Sequence, residues 1–568
     1  MKKTSIYMIL ILLVLFSTGC KKDFLERTEP AVISLESFYA DADDAEMAII
    51  ACYGPLQWPY FVSPLMLPDM MSDDGVKGST YGDNSLHWNE MAEFQGLTSA
   101  GIIEWKWRTT FRVIFRTNMV LSRVPEIEMD EVRRNQILGE AYFLRGYAFF
   151  ECAIAWGNVP IITEPLEDYY IPNNPSEEVW AQVISDLEQA IELLPEKSEW
   201  PANQIGRATK GAAIALLGKT HLYRHEFQEA EDIFRPLVES GEYTLASDFG
   251  EVFTLEGENG TGSILELQFA ELGEDDVYAA EGNFIIKFQG PRDITGWGFN
   301  QGTFKLLNEF GYYAVDNESL DKLANYGPTP DANLIDVANS LSALSGNQYE
   351  SHEALKTALA GAITAGQLAN YEYIICRSLF KPADPRFEHT FVFLDETVDG
   401  VYINPDIGQA TDHYTGVYNK KAFMAHVPDI WRLAPINERL IRLSDIYLMY
   451  AEAAAENGNT GEAITYLNMV RQRAASGSAL PLNNFPNYTD GYGVQYEDTG
   501  EDLLRAIYNE RRLELAFEHH RFWDLVRTGQ AADVLGEFGY VEGVHNVFPI
   551  PQGDIDRSGG VLVQNPGY

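Results

Sequence analysis

The sequence predicts an all-α dominated protein, in which an α/α helical-repeat scaffold carries an irregular, partly β and loop-rich insertion. Apolar residues recur at helical spacing in two separated stretches, 209–239 and 440–470. Between about residues 251 and 435, this period gives way to short alternating runs punctuated by Gly and Pro. The 568-residue chain is 46% hydrophobic and contains 30 Tyr and 30 Phe, which is enough apolar material for a large packed core.

The clearest helix pair is predicted over residues 209–239. Leu217 and Leu222 belong to its first helix, a break falls near His225, and Phe234 belongs to its second helix. This spacing resembles a tetratricopeptide repeat, a unit of about 34 residues. A second pair, over residues 440–470, breaks at Gly458. Because one such pair cannot bury its apolar face alone, we expect neighbouring pairs to stack into a tetratricopeptide-like array.

Weaker periodicity predicts two further pairs and a division of the chain. One pair joins residues 133–156 to 176–194, and the other joins an earlier segment to 502–527. Short strands are predicted at 263–269, 283–288 and 391–393. After residues 1–19, we predict a single body over 20–568, with helical repeats at about 30–250 and 436–530, the insertion at about 251–435, and an extended C-terminal tail at 531–568.

The first 19 residues have the pattern of an export signal. Lys2 and Lys3 precede an apolar run from Ile6 to Phe16, and small residues lead to Cys20. A permanent spanning helix needs about 20 apolar residues, so this run is too short to be one. We therefore expect cleavage before Cys20, lipidation of that cysteine and anchoring of the mature chain by acyl chains. The alternative is an ordinary signal peptide followed by an incidental cysteine.

Charge and cysteine content exclude several classes of function. The formal net charge of −43 disfavours nucleic acid and generic acidic membrane surfaces as partners, because both require clustered Lys and Arg. Cys52, Cys152 and Cys376 are an odd number without metal-site spacing, so no disulfide scaffold, metal site or cofactor is predicted. The run that begins at Asp41 fits helix capping better than a calcium loop.

Five segments, in the same order along the chain, resemble the SusD/RagB family of outer-membrane lipoproteins. They are CKKDFLE at 20–26, AYFLRGY at 141–147 running on to WGNVP at 156–160, RLSDIYLMYAEA at 442–453, ERRLELAFE at 510–518 followed by RFWDL at 521–525, and the tail from PIPQ at 549–552 to QNPGY at 564–568.

The resemblance implies a location, a partner and a function. The protein would be lipid-anchored on the outer face of a Bacteroidetes-type outer membrane. It would act as a lid over a SusC-like, TonB-dependent barrel and help to capture a nutrient, most often an oligosaccharide. The family is not enzymatic. An alternative within the same family is a RagB-like lid subunit that captures oligopeptides.

Sugar binding requires flat exposed aromatic rings together with polar side chains that donate and accept hydrogen bonds. Two stretches of the sequence meet this requirement, residues 73–89 and 296–300. In SusD-like glycan binders, the resemblance places aromatic and Asp contacts in these same broad regions. The candidate glycan-binding residues are Trp88, Trp297, Tyr81, Asp73 and Asn89.

A third hypothesis, an acidic glycoside hydrolase, rests on Glu510, Glu514 and Glu518. Carboxyls four residues apart on one helix can approach the 5 to 10 Å separation, roughly, that glycoside hydrolysis requires. However, arginines at positions 511, 512 and 521 are close enough in sequence to neutralise them. Arg511 and Glu518 fall within the apolar stripe of a helix over 510–527 and are expected to face inward. We therefore expect a structural ion-pair network on this helix, and no catalytic residue.

Overall fold

The computed structural model describes residues 38–79, 86–95, 98, 100–166, 170–270, 282–292, 294–329, 331–398, 400–403, 415–424 and 434–568. The predicted signal segment, Cys20 and Tyr81 lie outside the described residues. Within these ranges the fold is dominated by α-helices, with small antiparallel sheets between them.

The α-helices are α1 (Ala42–Gln57), α2 (Pro59–Val62), α3 (Leu67–Met70), α4 (Leu86–Ala92), α5 (Gly101–Arg123), α6 (Glu131–Trp156), α7 (Ser176–Leu193), α8 (Lys210–Tyr223), α9 (Phe227–Glu239), α10 (Ile285–Gln289), α11 (Phe304–Glu309), α12 (Asn317–Ala324), α13 (Ala332–Leu341), α14 (His352–Leu359), α15 (Ala365–Leu379), α16 (Phe387–Thr390), α17 (Leu443–Glu456), α18 (Thr460–Ala475), α19 (Gly500–Glu514), α20 (Arg521–Arg527), α21 (Ala531–Leu535) and α22 (Gln552–Arg557).

The strands are β1 (Gly75–Gly78), β2 (Ser263–Leu267), β3 (Phe299–Gly302), β4 (Gly311–Ala314), β5 (Gln348–Tyr349), β6 (Phe380–Pro382), β7 (Phe391–Phe393), β8 (Thr397–Val398), β9 (Val401–Tyr402), β10 (Val417–Asn419) and β11 (Glu438–Arg442). β1 pairs with β3, β2 with β11, β7 with β10 and β8 with β9, while β4 lies between β5 and β6. All of these pairings are antiparallel.

The predicted helix pairs form one stack built from both ends of the chain. Along it, α5, α6, α7, α8 and α9 each pack on the next, α9 packs on α17, and α17 packs on α18. Breaks fall where expected, because His225 and Gly458 have φ values of 59° and 81°. A Cβ at Gly218 would lie 2.4 Å from the ring of Phe234, so α8 and α9 approach closely only because position 218 is glycine. The tetratricopeptide-like prediction is confirmed.

A predicted helix cap and a second hydrophobic cluster are also present. Asp41 accepts hydrogen bonds from backbone N–H groups of the first turn of α1, which confirms the predicted cap. The insertion contains its own hydrophobic cluster, in which Leu323, Val337, Leu355 and Phe380 join α12, α13, α14 and β6. The strands predicted near residues 263 and 391 are present as β2 and β7.

Two local predictions are wrong. Residues 502–527 do not form one helix, because α19 ends at Glu514 and α20 begins at Arg521, with Phe517 and His519 at φ values of 62° and 70° between them. The strand predicted at 283–288 is reduced to an isolated antiparallel bridge between Asn283 and Ala434, because α10 begins at Ile285, whose N–H donates to the side chain of Asn283.

Among the described residues, every helix falls short of the length and apolar character that crossing a bilayer would require.

Candidate functional site

The two stretches predicted to bind a ligand meet through the β1–β3 ladder. Gly75 pairs with Gly302, and Gly78 pairs with Phe299, although about 220 residues separate the strands in sequence. Gly78 has φ +68°, and a Cβ there would lie 2.5 Å from the carbonyl oxygen of Gly298. Glycine at this position therefore permits the close approach that joins residues 73–89 to residues 296–300.

Aromatic rings from both stretches, together with two rings at the segment 284–288, pack beside this ladder. We call them the aromatic platform: Trp88, Phe284, Phe288, Trp297 and Phe299. Phe288 lies at the centre, with ring centroids 5.4 Å from Trp88, 4.8 Å from Trp297 and 5.2 Å from Phe299. The contacts of Phe288 with Trp297 and Phe299 are edge-to-face, and such contacts fix ring orientation and add about 0.5 to 1.5 kcal/mol each beyond area burial.

The platform contains two of the predicted site residues, Trp88 and Trp297, and Trp297 is the one that is half-buried. Its ring stands edge-on to Phe284 and Phe288, at interplanar angles of 78° and 87°. The flanking Gly296 could not carry a side chain, since a Cβ would lie 2.5 Å from a backbone oxygen. The backbone around Trp297 is therefore packed tightly, while part of the indole remains at the surface.

Trp88 and Asn89 do not have the exposure that the sequence suggested. Trp88 is 2% exposed and Asn89 is 4% exposed. The short helix α4 turns the indole of Trp88 onto Phe288 and Phe299, where it completes the core of the platform. In this conformation the ring supports the platform from inside and offers no face to a sugar.

Asp73 is also buried, with 5% of its surface exposed. Its carboxylate accepts hydrogen bonds from Arg512 at 2.9 Å and from Arg521 at 2.9 Å. Burial alone would raise the pKa of Asp73, but these two guanidinium groups outweigh it and hold the pKa well below its ordinary value. Arg512 also donates to Asp74 and Glu309, so Asp73 belongs to an ion cluster instead of standing free as a ligand acceptor.

Polar side chains that the sequence reasoning missed lie around β1 and β3. Arg292 donates to the hydroxyl of Ser79 at 2.6 Å. The side chain of Gln301 donates to the carbonyl of Gly298 at 2.9 Å and accepts from the N–H of Thr415 at 2.9 Å. These side chains become neighbours because β1 pairs with β3, and no local sequence pattern indicates that they lie close together.

The acidic residues 510, 514 and 518 all face inward, which the sequence predicted only for Glu518, and each is ion-paired. Glu510 and Glu514 are fully buried, and Glu518 is nearly so. Their partners are Arg386 and Arg471 for Glu510, Arg386, Arg442 and Arg473 for Glu514, and Lys421 and Arg442 for Glu518.

The partners named from sequence proximity are wrong. Arg511 pairs with Asp445 and Asp524, and Arg512 and Arg521 pair with Asp73. Successive residues on a helix point in different directions, so neighbours in sequence do not neutralise these carboxylates. Cations from β11, α18 and the loop before α16 do so instead.

The fold and this site define a helical-repeat scaffold that presents an aromatic platform at its insertion. The sequence matches the profile of the SusD family over residues 262–568, more than half of the chain. Residues 63–222 match a second profile, described as starch-binding associating with outer membrane. The chain belongs to the SusD family.

Individual relatives match over almost the whole chain. SusD-like proteins P38 and P25 of Formosa agariphila are 25% and 26% identical, covering 93% and 99% of this chain and 92% and 99% of their own. A solved laminarin binding SusD-like protein is 26% identical, with a TM-score of 0.68 over 93% of this chain and 100% of its own. Surface glycan-binding protein A from Bacteroides thetaiotaomicron, solved with laminarihexaose, shares the fold at 20% identity and TM-score 0.63, over 93% and 100%.

Proposed function

We propose that this protein binds a nutrient glycan at the aromatic platform, on the outer face of the outer membrane, and delivers it to a SusC-like TonB-dependent barrel. The observation that carries the glycan-binding proposal is the β1–β3 pairing, which brings two sequence-distant aromatic stretches together around the half-buried Trp297. The laminarin-binding relative at 26% identity supports the same ligand class.

The chemistry of the platform suits a pyranose ring. Such a ring has apolar C–H faces and an equatorial belt of hydroxyls, so it stacks on an indole while polar groups meet its rim. Trp297 would supply the stacking surface, and Arg292, which is half-buried and forms a backbone bridge with Gly296, would donate hydrogen bonds from its guanidinium. Tyr81 would contribute a second ring.

We propose that the role is binding without catalysis. A general acid must hold a proton near neutral pH, which requires a raised pKa. Burial would raise the pKa of Glu514, but the cations Arg473, Arg442 and Arg386 outweigh it and hold the pKa well below its ordinary value. This carboxylate is therefore a poor proton donor, which argues against the glycoside hydrolase hypothesis.

The anchor and the barrel partner are proposed from the sequence. Cys20 would carry the acyl chains, and the lid role would require the protein to associate with the barrel. Mass spectrometry of the N-terminal peptide should find an acylated Cys20, and Cys20→Ala should release the protein from the outer membrane. An unmodified Cys20 in membrane-associated protein would contradict the anchor.

The test of ligand binding compares two tryptophans. After a glycan screen identifies a ligand, Trp297→Ala should weaken its binding by about 1 to 3 kcal/mol in isothermal titration calorimetry. Trp180→Ala is the matched control, because Trp180 is also half-buried but packs against Phe150 in the helical stack.

Two outcomes would overturn this proposal. Equal affinity in wild type and Trp297→Ala would remove the platform as the site. A blank glycan screen, with oligopeptides that co-purify and bind, would favour the RagB-like alternative.

A further inference from the structure

Helix α5 reverses the charge of the chain locally. Its 23 residues include five basic side chains and one acidic side chain, Glu104, so its formal charge is +4 in a chain that carries −43. Residues 105–123 contain no Asp or Glu at all. The net charge of the chain disfavours a generic acidic surface as a partner, but a basic amphipathic helix of this kind favours one at this face.

α1 lies beside α5 and turns apolar side chains toward solvent. Met47, Ala51 and Trp58 recur at helical spacing along α1 and its C-terminal end, and Ile50 lies next to them. Met47 is 52% exposed and Ile50 is 55% exposed. Residues 47–68 contain no charged side chain. Grouped exposed apolar side chains, unlike single ones, indicate an interaction surface.

Side-chain contacts join the two helices into one surface. The guanidinium of Arg112 lies 4.6 Å from the ring centroid of Trp58, and that of Arg116 lies 5.7 Å from the same ring. Arg116 also donates to the backbone carbonyl of Ala51. Phe115, 46% exposed, lies on the same side of α5 as Arg112. We call this surface the basic face, and it consists of Met47, Ile50, Trp58, Arg112, Phe115 and Arg116.

The two arginines of the basic face are not neutralised by carboxylates. In the part of the chain that the structure describes, neither Arg112 nor Arg116 forms an ion pair. Arg108, one turn before Arg112, differs from them because it pairs with Glu104. Two positive charges therefore stand beside exposed apolar groups, which is the combination that arginine and aromatic residues form at membrane interfaces.

Acidic side chains also occur near the basic face, at one end of it. The acidic residues of 41–44 stand at the N-terminus of α1, where Asp41 caps the helix. α1 and α5 run antiparallel, because Ala51 meets Arg116 while Trp58 meets Arg112, so the acidic end lies away from Arg112. Exposed charges more than about 8 Å from a bound headgroup are largely screened at 0.15 M salt.

The basic face is close in sequence to the proposed anchor. Seventeen residues separate Cys20 from Phe38, where the described part of the chain starts, and α1 begins at Ala42. A fully extended chain spans at most about 3.6 Å per residue, so this tether reaches at most about 65 Å. An anchor at Cys20 would thus keep α1 near the membrane surface and raise the effective concentration of even a weak contact there.

We propose that the basic face binds anionic lipid headgroups of the membrane that holds the anchor, and that this contact sets the orientation of the protein on the membrane. Arg112 and Arg116 would meet the headgroup phosphates, while Met47, Ile50 and Phe115 would enter the headgroup region. The proposal rests on the proposed anchor at Cys20 for its reach. The affinity of the face for lipid needs no acyl chain.

The test uses the mature chain, residues 20–568, with Cys20→Ala, which retains every described residue and carries no acyl chain. Co-sedimentation at about 0.15 M salt compares vesicles of phosphatidylcholine alone with vesicles of phosphatidylcholine and phosphatidylglycerol. A basic side chain near an anionic leaflet strengthens binding about fivefold. With two such arginines, we expect saturable binding to the mixed vesicles and at least about tenfold weaker binding to phosphatidylcholine alone.

One pair of variants tests the charge of the basic face. Arg112→Gln should weaken binding to the mixed vesicles about fivefold. Arg505→Gln is the matched control, because Arg505 also lies 4.6 Å from an aromatic ring centroid, that of Tyr496, but is paired with Asp502. This control should leave vesicle binding unchanged.

A second pair tests the apolar part of the face. Met47→Ser should weaken binding about three- to tenfold, because less apolar surface enters the headgroup region. Met469→Ser is the matched control, since Met469 is 43% exposed but lies on α18, the last helix of the stack. This variant should bind the mixed vesicles as the parent protein does.

The proposal is overturned if the protein binds both kinds of vesicle equally or binds neither, the second being the result expected if an acidic protein covers the face instead. Unchanged binding by Arg112→Gln, folded by circular dichroism, would also overturn it, and Met47→Ser decides the same question if Arg112→Gln does not fold. Acylation of Cys20 is measured separately, and Trp297→Ala should bind vesicles normally. Failure of the basic face is therefore distinguishable from failure of the anchor or of the glycan site.

Discussion

Removing the charge of Glu514 should destabilise the protein more than almost any other single isosteric change. This carboxylate is 0% exposed and sits at the centre of the buried ion network. Oε1 accepts from Arg442 at 2.6 Å and from Arg473, and Oε2 accepts from Arg386 at 3.2 Å. Glu514→Gln keeps the volume of the side chain, so no cavity forms and the change reports on charge and hydrogen bonding alone.

The magnitude follows from the network's charge. Breaking a buried ion pair by removing one partner costs about 3 to 5 kcal/mol, because it leaves an uncompensated buried charge. Here the network, which also includes Asp384 beside Arg386, already has one more cation than carboxylate, and the variant would have two. The amide N–H groups of the new Gln would also face guanidinium donors. We therefore expect a loss of at least about 3 kcal/mol in the free energy of unfolding.

Urea unfolding followed by far-UV circular dichroism measures this loss as a lower midpoint. Glu188→Gln is the control, because Glu188 is exposed in the middle of α7, and it should change the free energy of unfolding by no more than about 0.5 kcal/mol. A Glu514→Gln protein within about 1 kcal/mol of wild type would refute the reasoning that this network is buried and charge-sensitive.

Three further predictions test other parts of the fold. Trp88→Ala should lower the free energy of unfolding by about 3 to 5 kcal/mol in urea, since the indole is buried against Phe288 and Phe299; a loss below about 1 kcal/mol would contradict that burial. Gly218→Ala should cost about 1 to 3 kcal/mol in the same assay, because α8 and α9 would be forced apart, and a neutral result would contradict their close packing. Burial lowers the pKa of His519, but the adjacent Asp69 outweighs it and raises the pKa to about 10. The stabilising contribution of His519 is thus fully present below pH 6.5 and is lost as pH rises through about 10. Burial lowers the pKa of His520 to about 4. The contribution of His520 is therefore present above pH 6.5 and is lost as pH falls through about 4. NMR titration of both imidazoles checks the signs, and coincident titration near pH 6.5 would contradict them.

The helical scaffold could be predicted because its signals are local. A period of 3.6 residues and a break at Gly458 define α17 and α18 without knowledge of their neighbours. The same 3.6-residue period wrongly predicted one continuous helix across α19 and α20. Leu515 and Phe522 fit the helical stripe, although the chain turns between them. Phe517 and His519 adopt positive φ there, and neither residue type indicates a turn in sequence.

The candidate site could be predicted only by region. Composition located both stretches that β1 and β3 bring together, but burial depends on partners far away in sequence. Trp88 is covered by Phe288 and Phe299, which are about 200 residues away in sequence. The sequence alone therefore could not show whether the Trp88 ring is buried or exposed. Asp73 is likewise occupied by Arg512 from the far end of the chain.

The most direct test of the account is a crystal structure of the full-length protein with the glycan that binds it best. We predict a pyranose ring stacked on the indole of Trp297, with its hydroxyls near Arg292. A glycan bound elsewhere, with the Trp297 ring uncovered, would contradict the central claim that the paired β1 and β3 stretches form the binding site.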